Sequence, residues 1–207
     1  MHKPFLVIAG NIASGKSTVA KRLADELGLP VYQEPADANP YLEGFYKDMS
    51  RYAFRSQLFF LAKGLNQHRQ IEARSGGAVL DRSLYEHYLV FAHQLHADGK
   101  ITDNDFAVLS DLYYGFQDLL ASPDLLVMLE ASTDQLALRL AGRGATDASI
   151  DPLYLQALQQ RYSEFVDGWV VCPVLKIDTE QLDPRSEVGL DQLVAMVLER
   201  LSLSELS

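Results

Sequence analysis

At 207 residues and 23.1 kDa the chain has the size of one domain, residues 1–207, long enough to bury about 70% of its unfolded surface in a single core. With 48% apolar and 22% charged residues it has ordinary globular composition, which excludes a disordered or collagen-like chain. Eighteen basic against 28 acidic side chains, net −10, oppose the phosphate-neutralising surface that a nucleic-acid polymer requires, and no such partner is expected.

Phe5 to Ala9 is a short continuous apolar run, the pattern of a strand buried on both faces, and it leads through Gly10 into a helical pattern. The first helix is expected from about Gly15 to Leu27, stopped by Gly28 and Pro30, with a short second strand at Val31 to Gln33. Asn39-Pro40 has the form of an N-cap with proline at the first helical position. It opens a long helical stretch, broken near Ser50 and running to about Arg74, where Gly76-Gly77 ends it. Ala78 to Leu80 reads as the third strand, followed by helices from Arg82 to about Ala97 and from Asp103 to Leu120. Leu125 to Leu129 is the fourth strand; Ser132 and Gln135 have capping-box spacing for the next helix. Asp151-Pro152 caps a helix to about Val166, Val174 to Ile177 is the fifth strand, and Leu190 to Leu201 a final amphipathic helix. Strands alternating with helices throughout predict an α/β fold, a parallel sheet with helices on both faces.

Gly10-Asn11-Ile12-Ala13-Ser14-Gly15-Lys16-Ser17 fits G-x-x-x-x-G-K-S/T, directly after the first strand and opening the first helix. Such a loop wraps a polyphosphate in backbone N–H groups at a helix N-terminus; Lys16 reaches the outer phosphates and the Ser17 hydroxyl suits Mg²⁺. A nucleoside triphosphate is the ligand this predicts. No N-K-x-D guanine reader follows a late strand, which weighs against a GTPase. Glu34, at the end of the second strand, lies where ligands of a parallel sheet bind, and a carboxylate there can take the proton of an attacking hydroxyl. A merely solvated glutamate before Pro35 is the alternative.

These residues resemble the deoxyribonucleoside kinase family, in particular its bacterial purine deoxynucleoside kinases, over essentially the whole chain. The resemblance rests on Gly10 to Thr18, Glu34-Pro35, Asn39 to Glu43 with Phe45 to Asp48, Arg51 to Phe54 with Gln57, and Asp81-Arg82-Ser83. It implies a P-loop kinase fold with a five-stranded parallel sheet, and transfer of the ATP γ-phosphate to the 5′-hydroxyl of a deoxyribonucleoside in nucleotide salvage. It also implies a dimer, homodimeric or heterodimeric. Glu34 resembles the family's general base, Arg82 the arginine that holds that base and the transferring phosphate, and Asp81 the acidic residue of the magnesium shell. A helix cap for Asp81 and an ion pair of Arg82 with Asp81 or Glu86 are the plainer alternatives. Tyr46 matches the tyrosine on the sugar 3′-hydroxyl and Gln57 the base-reading glutamine, whose amide can address a base edge bidentately. The aromatic stripe around them, Phe45, Tyr52, Phe54, Phe59 and Phe60, also suits plain packing. Arg139 to Arg143 resembles the arginine-bearing lid, about residues 139–150, with Arg143 the ATP-facing residue, Asp147 the acidic partner of the sugar, and Arg139 either a second lid arginine or a solvated helix face.

Two positions depart from the family pattern. Gly64 and His87 stand where many relatives have an arginine and an aspartate that help select the base. Losing the arginine removes the reason to keep a buried aspartate, and Lys63 is a candidate substitute. His87 is expected near the base, and the acceptor is expected to be deoxyadenosine or deoxyguanosine. A non-catalytic nucleotide-binding or regulatory subunit, or a P-loop kinase for another small alcohol, are the rival readings. His93 and His96 lack a third ligand for metal and are expected on a solvated helix face. Single Cys172 is expected as a buried thiol; it permits no internal disulfide and suits a reducing cytosol. No apolar run approaches the roughly 18 residues of a membrane span, the N-terminus does not read as a signal peptide, and a cytoplasmic protein is expected.

Overall fold

The computed structural model describes residues 3–74, 77–142 and 150–204. Five strands, β1 (Phe5–Gly10), β2 (Val31–Tyr32), β3 (Ala78–Asp81), β4 (Leu125–Glu130) and β5 (Val174–Asp178), form one parallel sheet in the order β2-β3-β1-β4-β5. Central β1 is buried along its length and feeds two cores. Phe5, Val7 and Ala9 face one, Leu6 and Ile8 the other, which is why it reads as an unbroken apolar run. Helices α1 (Lys16–Leu27) and α9 (Glu187–Ser204) cover the Leu6 face through Val19, Leu23, Leu193 and Val197. The Phe5 face is covered by α3 (Met49–Glu72), α6 (Asp103–Phe116), α7 (Thr133–Ala141) and α8 (Pro152–Asp167). Ser132 caps α7 by accepting from Gln135 N, and Asp151 caps α8, as the spacings predict.

Several boundaries differ from expectation. The helix expected to open at Asn39-Pro40 starts only at α2 (Leu42–Lys47), with Tyr41 at its cap. Asn39 instead makes a turn: Oδ1 accepts from Tyr41 N at 3.0 Å while Nδ2 donates to Ser56 Oγ at 2.9 Å. The break falls at Asp48, whose side chain caps α3, and α3 ends at Glu72, ahead of the glycine pair. Arg82 lies outside any helix, at a left-handed φ of 60°, and Ser83 caps α4 (Leu84–Glu86) in a capping box with Glu86. Residues His87–Ala92 then wind as a π-helix into α5 (His93–Ala97). After α6, Gln117–Leu119 is a 3₁₀ turn.

His93 and His96 are packed rather than solvated: His96 stacks on Phe106 at 4.2 Å between ring centroids, and His93 meets Tyr88 and Phe106 edge-on. Cys172 is half-buried. Among the described residues no helix is long and apolar enough to cross a membrane.

Candidate active site

Strands β1, β2 and β3 end on one side of the sheet, and β1 is where the strand order reverses, the position at which open parallel sheets bind ligands. The phosphate loop follows β1. Gly10 has φ 147°, and a Cβ there would lie 2.6 Å from Leu129 O and 2.7 Å from Ser14 Oγ, so only glycine fits. Lys16 is buried and its Nζ donates to Asn11 O at 2.8 Å. Desolvation lowers its pKa from 10.5 to about 8, with the Arg82 cation acting in the same direction. The Asn11 side chain ties the loop to α8 by donating to Leu155 O at 2.9 Å and Gln159 Oε1 at 3.2 Å.

Glu34 stands two residues past β2, and Arg82 directly follows β3. Arg82 Nη1 is 3.1 Å from Glu34 Oε1, its Nη2 donates to Gly10 O at 3.3 Å, and its guanidinium carbon lies 4.5 Å over the Phe91 ring. Burial alone would disfavour the cation, but Glu34 and Glu86 hold it firmly protonated. Asp81 makes no ion pair with Arg82 and caps nothing, since Ser83 holds the cap. It is 1% exposed, and neither carboxylate oxygen has a hydrogen-bond partner among the described residues.

One cavity of about 540 Å³ brings together Lys16, Ser17, Glu34, Asp81 and Arg82 with three of the residues expected on the acceptor, Tyr46, Gln57 and His87. Gln57 is 3% exposed with Oε1 unpartnered among the described residues, and Tyr154 Oη, on the same cavity wall, is likewise unpartnered. Phe45, Phe60 and Phe91 line the cavity too. Other aromatics of the stripe pack elsewhere: Tyr52 covers Gly44, and Phe59 meets Phe60 edge-on. His87 stacks on Phe60, with centroids 4.3 Å apart and planes within 4°, and its Nε2 lies 3.7 Å from Glu34 Oε1. Burial drives its pKa well below 6.5, with Arg82 and Lys16 acting in the same direction, so the imidazole is neutral.

The family's arginine position is closed in this chain. A Cβ on Gly64 would sit 2.9 Å from Leu84 Cβ, because α3 and α4 touch there. Lys63 does not substitute: it is exposed, with its ammonium 5.5 Å over the Phe59 ring. Arg139 is no solvated helix face. It donates to Thr179 Oγ1 at 3.0 Å, to Thr179 O at 3.2 Å and to Ser14 O at 3.4 Å, on the wall of a second cavity of about 270 Å³ that also includes Thr18. Arg143 and Asp147 lie outside the described residues.

Sequence reasoning missed Glu86, except as a partner for Arg82. It is fully buried and accepts from Gly10 N, Ser83 N, Ser83 Oγ and Tyr162 Oη. Desolvation raises its pKa, opposed by Arg82 and Lys16. The one sequence signal, Ser83-x-x-Glu86, announces only a helix start.

The family model for deoxynucleoside kinases matches residues 6–199. Deoxyadenosine/deoxycytidine kinase of Bacillus subtilis (strain 168) is 35% identical over 182 residues, covering 86% of this chain and 83% of the relative. Deoxyadenosine kinase of Dictyostelium discoideum is 34% identical over 197 residues, 93% of this chain and 77% of that protein. A solved structure of deoxyadenosine kinase from M. mycoides with bound dATP superposes with a TM-score of 0.82 at 26% identity, covering 94% of this chain and 98% of that one.

Proposed function

This chain belongs to the deoxynucleoside kinase family, and on that premise we propose that it phosphorylates the 5′-hydroxyl of a purine deoxynucleoside, deoxyadenosine or deoxyguanosine, with ATP and Mg²⁺ in nucleotide salvage. The observation that carries the reading is Glu34 held 3.1 Å from Arg82 in one cavity with the phosphate loop. Glu34 takes the proton of the 5′-hydroxyl as that oxygen bonds to the γ-phosphorus; the bond from phosphorus to the β-bridging oxygen breaks and ADP leaves. Arg82 holds the carboxylate and, with Lys16 and the loop N–H groups, stabilises the charge on the transferring group. Tyr46 orients the sugar, and Gln57 with neutral His87 reads the base edge. Arg143 and Asp147 would complete the site from the lid.

Ser17 and Asp81 would hold Mg²⁺, which would neutralise charge developing between the β- and γ-phosphates. The two buried, unpartnered oxygens of Asp81 support this. Because magnesium keeps several waters and shares substrate phosphates, it does not need a three-residue protein cluster, and none exists among the described residues. A single catalytic domain over residues 1–207, working as a homodimer, completes the proposal.

The test is to supply ATP and Mg²⁺ with deoxyadenosine, deoxyguanosine, deoxycytidine or thymidine in turn and quantify the 5′-monophosphates. Product from a purine is expected. Product from thymidine or deoxycytidine alone would overturn the purine assignment, and none at all would shift the reading to a non-catalytic or regulatory subunit.

A further inference from the structure

We propose that Glu86 is a positioning residue of the phosphoryl-transfer site, fixing the first residue of the phosphate loop and tying it to α8 through Tyr162. The assignment rests on the kinase reading above. Both polar groups of the Gly10 backbone are gripped by side chains of one turn: Glu86 Oε1 accepts from Gly10 N at 3.3 Å, and Arg82 Nη2 donates to Gly10 O at 3.3 Å. The same Oε1 accepts from Tyr162 Oη at 2.9 Å, while Oε2 accepts from Ser83 N at 2.9 Å and Ser83 Oγ at 3.3 Å. One carboxylate with 0% exposure therefore joins β1, the turn after β3, and α8.

A helix cap alone does not call for this arrangement. Thr102, Ser132 and Asp151 cap their helices with exposed hydrogen bonds, and none of them buries a carboxylate, which is unfavourable unless fully partnered. Capping occupies only Oε2; Oε1 faces Gly10 and Tyr162. It also lies 3.9 Å from Arg82 Nε, a buried nitrogen with no hydrogen-bond partner among the described residues. Arg82 in turn carries Glu34, while its backbone sits at a left-handed φ of 60° that an L side chain adopts only when its surroundings impose it. Glu86 thus fixes the loop that takes the ATP phosphates and the arginine that holds the base, without facing Tyr46 or Gln57. Its loss is expected to fall on ATP binding and turnover rather than on nucleoside recognition.

The experiment compares wild type, Glu86→Gln and Tyr162→Phe by calorimetric ATP binding and by kcat and KM for each substrate, all per folded molecule, alongside thermal melting. Glu86→Gln should weaken ATP binding roughly tenfold and lower kcat at least as much, the effect of disturbing a buried acceptor shared by Gly10 N and Tyr162 Oη, with the deoxynucleoside KM within about twofold of wild type. Tyr162→Phe should move the same two quantities several-fold, and it carries the test if Glu86→Gln does not fold. A lowered melting temperature with ATP binding and kcat unchanged would reduce Glu86 to a helix cap and overturn the proposal, as would a shift confined to the deoxynucleoside KM. If wild type binds ATP but phosphorylates no deoxynucleoside, the kinase reading fails while the ATP affinities of the variants still decide the role of Glu86. A wild type that binds no ATP would overturn both.

Discussion

Arg82 joins the candidate base to the phosphate loop: one terminal nitrogen lies 3.1 Å from Glu34 Oε1 and the other donates to Gly10 O at 3.3 Å. The planar guanidinium fork makes both contacts at once, and its face rests on Phe91. A lysine ammonium is a point charge on a flexible stem and cannot hold that geometry. Arg82→Lys should therefore keep the fold and lower kcat roughly a hundredfold, a loss of transition-state charge stabilisation and of orientation together. Steady-state kinetics on the purified variant check this; near-wild-type turnover would show that charge alone suffices.

Lys16 gives ATP binding a pH dependence of defined sign. In the ligand-free protein burial leaves its pKa at about 8, so the ammonium is charged below that pH and progressively neutral above it. A triphosphate beside it favours the charged form and raises the pKa of the complex. Affinity for ATP should be full below about pH 8 and fall by up to roughly tenfold per pH unit above it, with proton uptake on binding. Calorimetric titrations at pH 7 and pH 9, in buffers of different ionisation enthalpy, measure both; a flat affinity with no proton uptake would contradict the assignment.

The five parallel strands were legible because β1, β3 and β4 are short apolar runs bounded by turn or cap residues, and the loop from Gly10 to Ser17 fixed where β1 ends. The left-handed Arg82 was not legible. What holds it there is Ile8 O accepting from its backbone N at 3.1 Å, together with Gly10 and Glu34, all remote in sequence. The same applies to Arg139, whose partner Thr179 is 40 residues away, and to Glu86, whose partners Gly10 and Tyr162 each stand 76 residues off. Local spacing made Asn39-Pro40 look like a helix start, but Asn39 Oδ1 closes a turn on Tyr41 N while its Nδ2 anchors it to Ser56, and the helix begins only after that turn. Glu34 was legible from its place at the end of the second strand beside the phosphate loop, Tyr46, Gln57 and Arg82 only through the family resemblance, and the fold places all four on one cavity.

Stability should fall on mild acidification through His68. This residue is fully buried, with Phe5 and Tyr85 meeting its ring edge-on. Desolvation lowers its pKa to about 4, the backbone at Ala121 offsetting only part. Above pH 6.5 the ring is neutral whether folded or unfolded and nothing is lost; below it the unfolded chain takes up a proton that the folded one refuses. The loss between pH 7.5 and pH 5 amounts to about 2 kcal/mol, and buried, neutral His87 adds in the same direction. Urea unfolding at the two pH values measures it, and His68→Leu should remove most of its share; an unchanged pH dependence in that variant would refute the assignment.

In the proposed reaction Glu34, held by Arg82, is the base that takes the proton of the 5′-hydroxyl. The most direct measurement compares wild type with Glu34→Gln for 5′-monophosphate formation from ATP and deoxyadenosine, with ATP affinity taken on the same samples. The variant's kcat is expected to be at least roughly a hundredfold lower, with ATP affinity within about twofold of wild type, since proton transfer is removed while the loop stays as it is. Full turnover in Glu34→Gln would contradict that role.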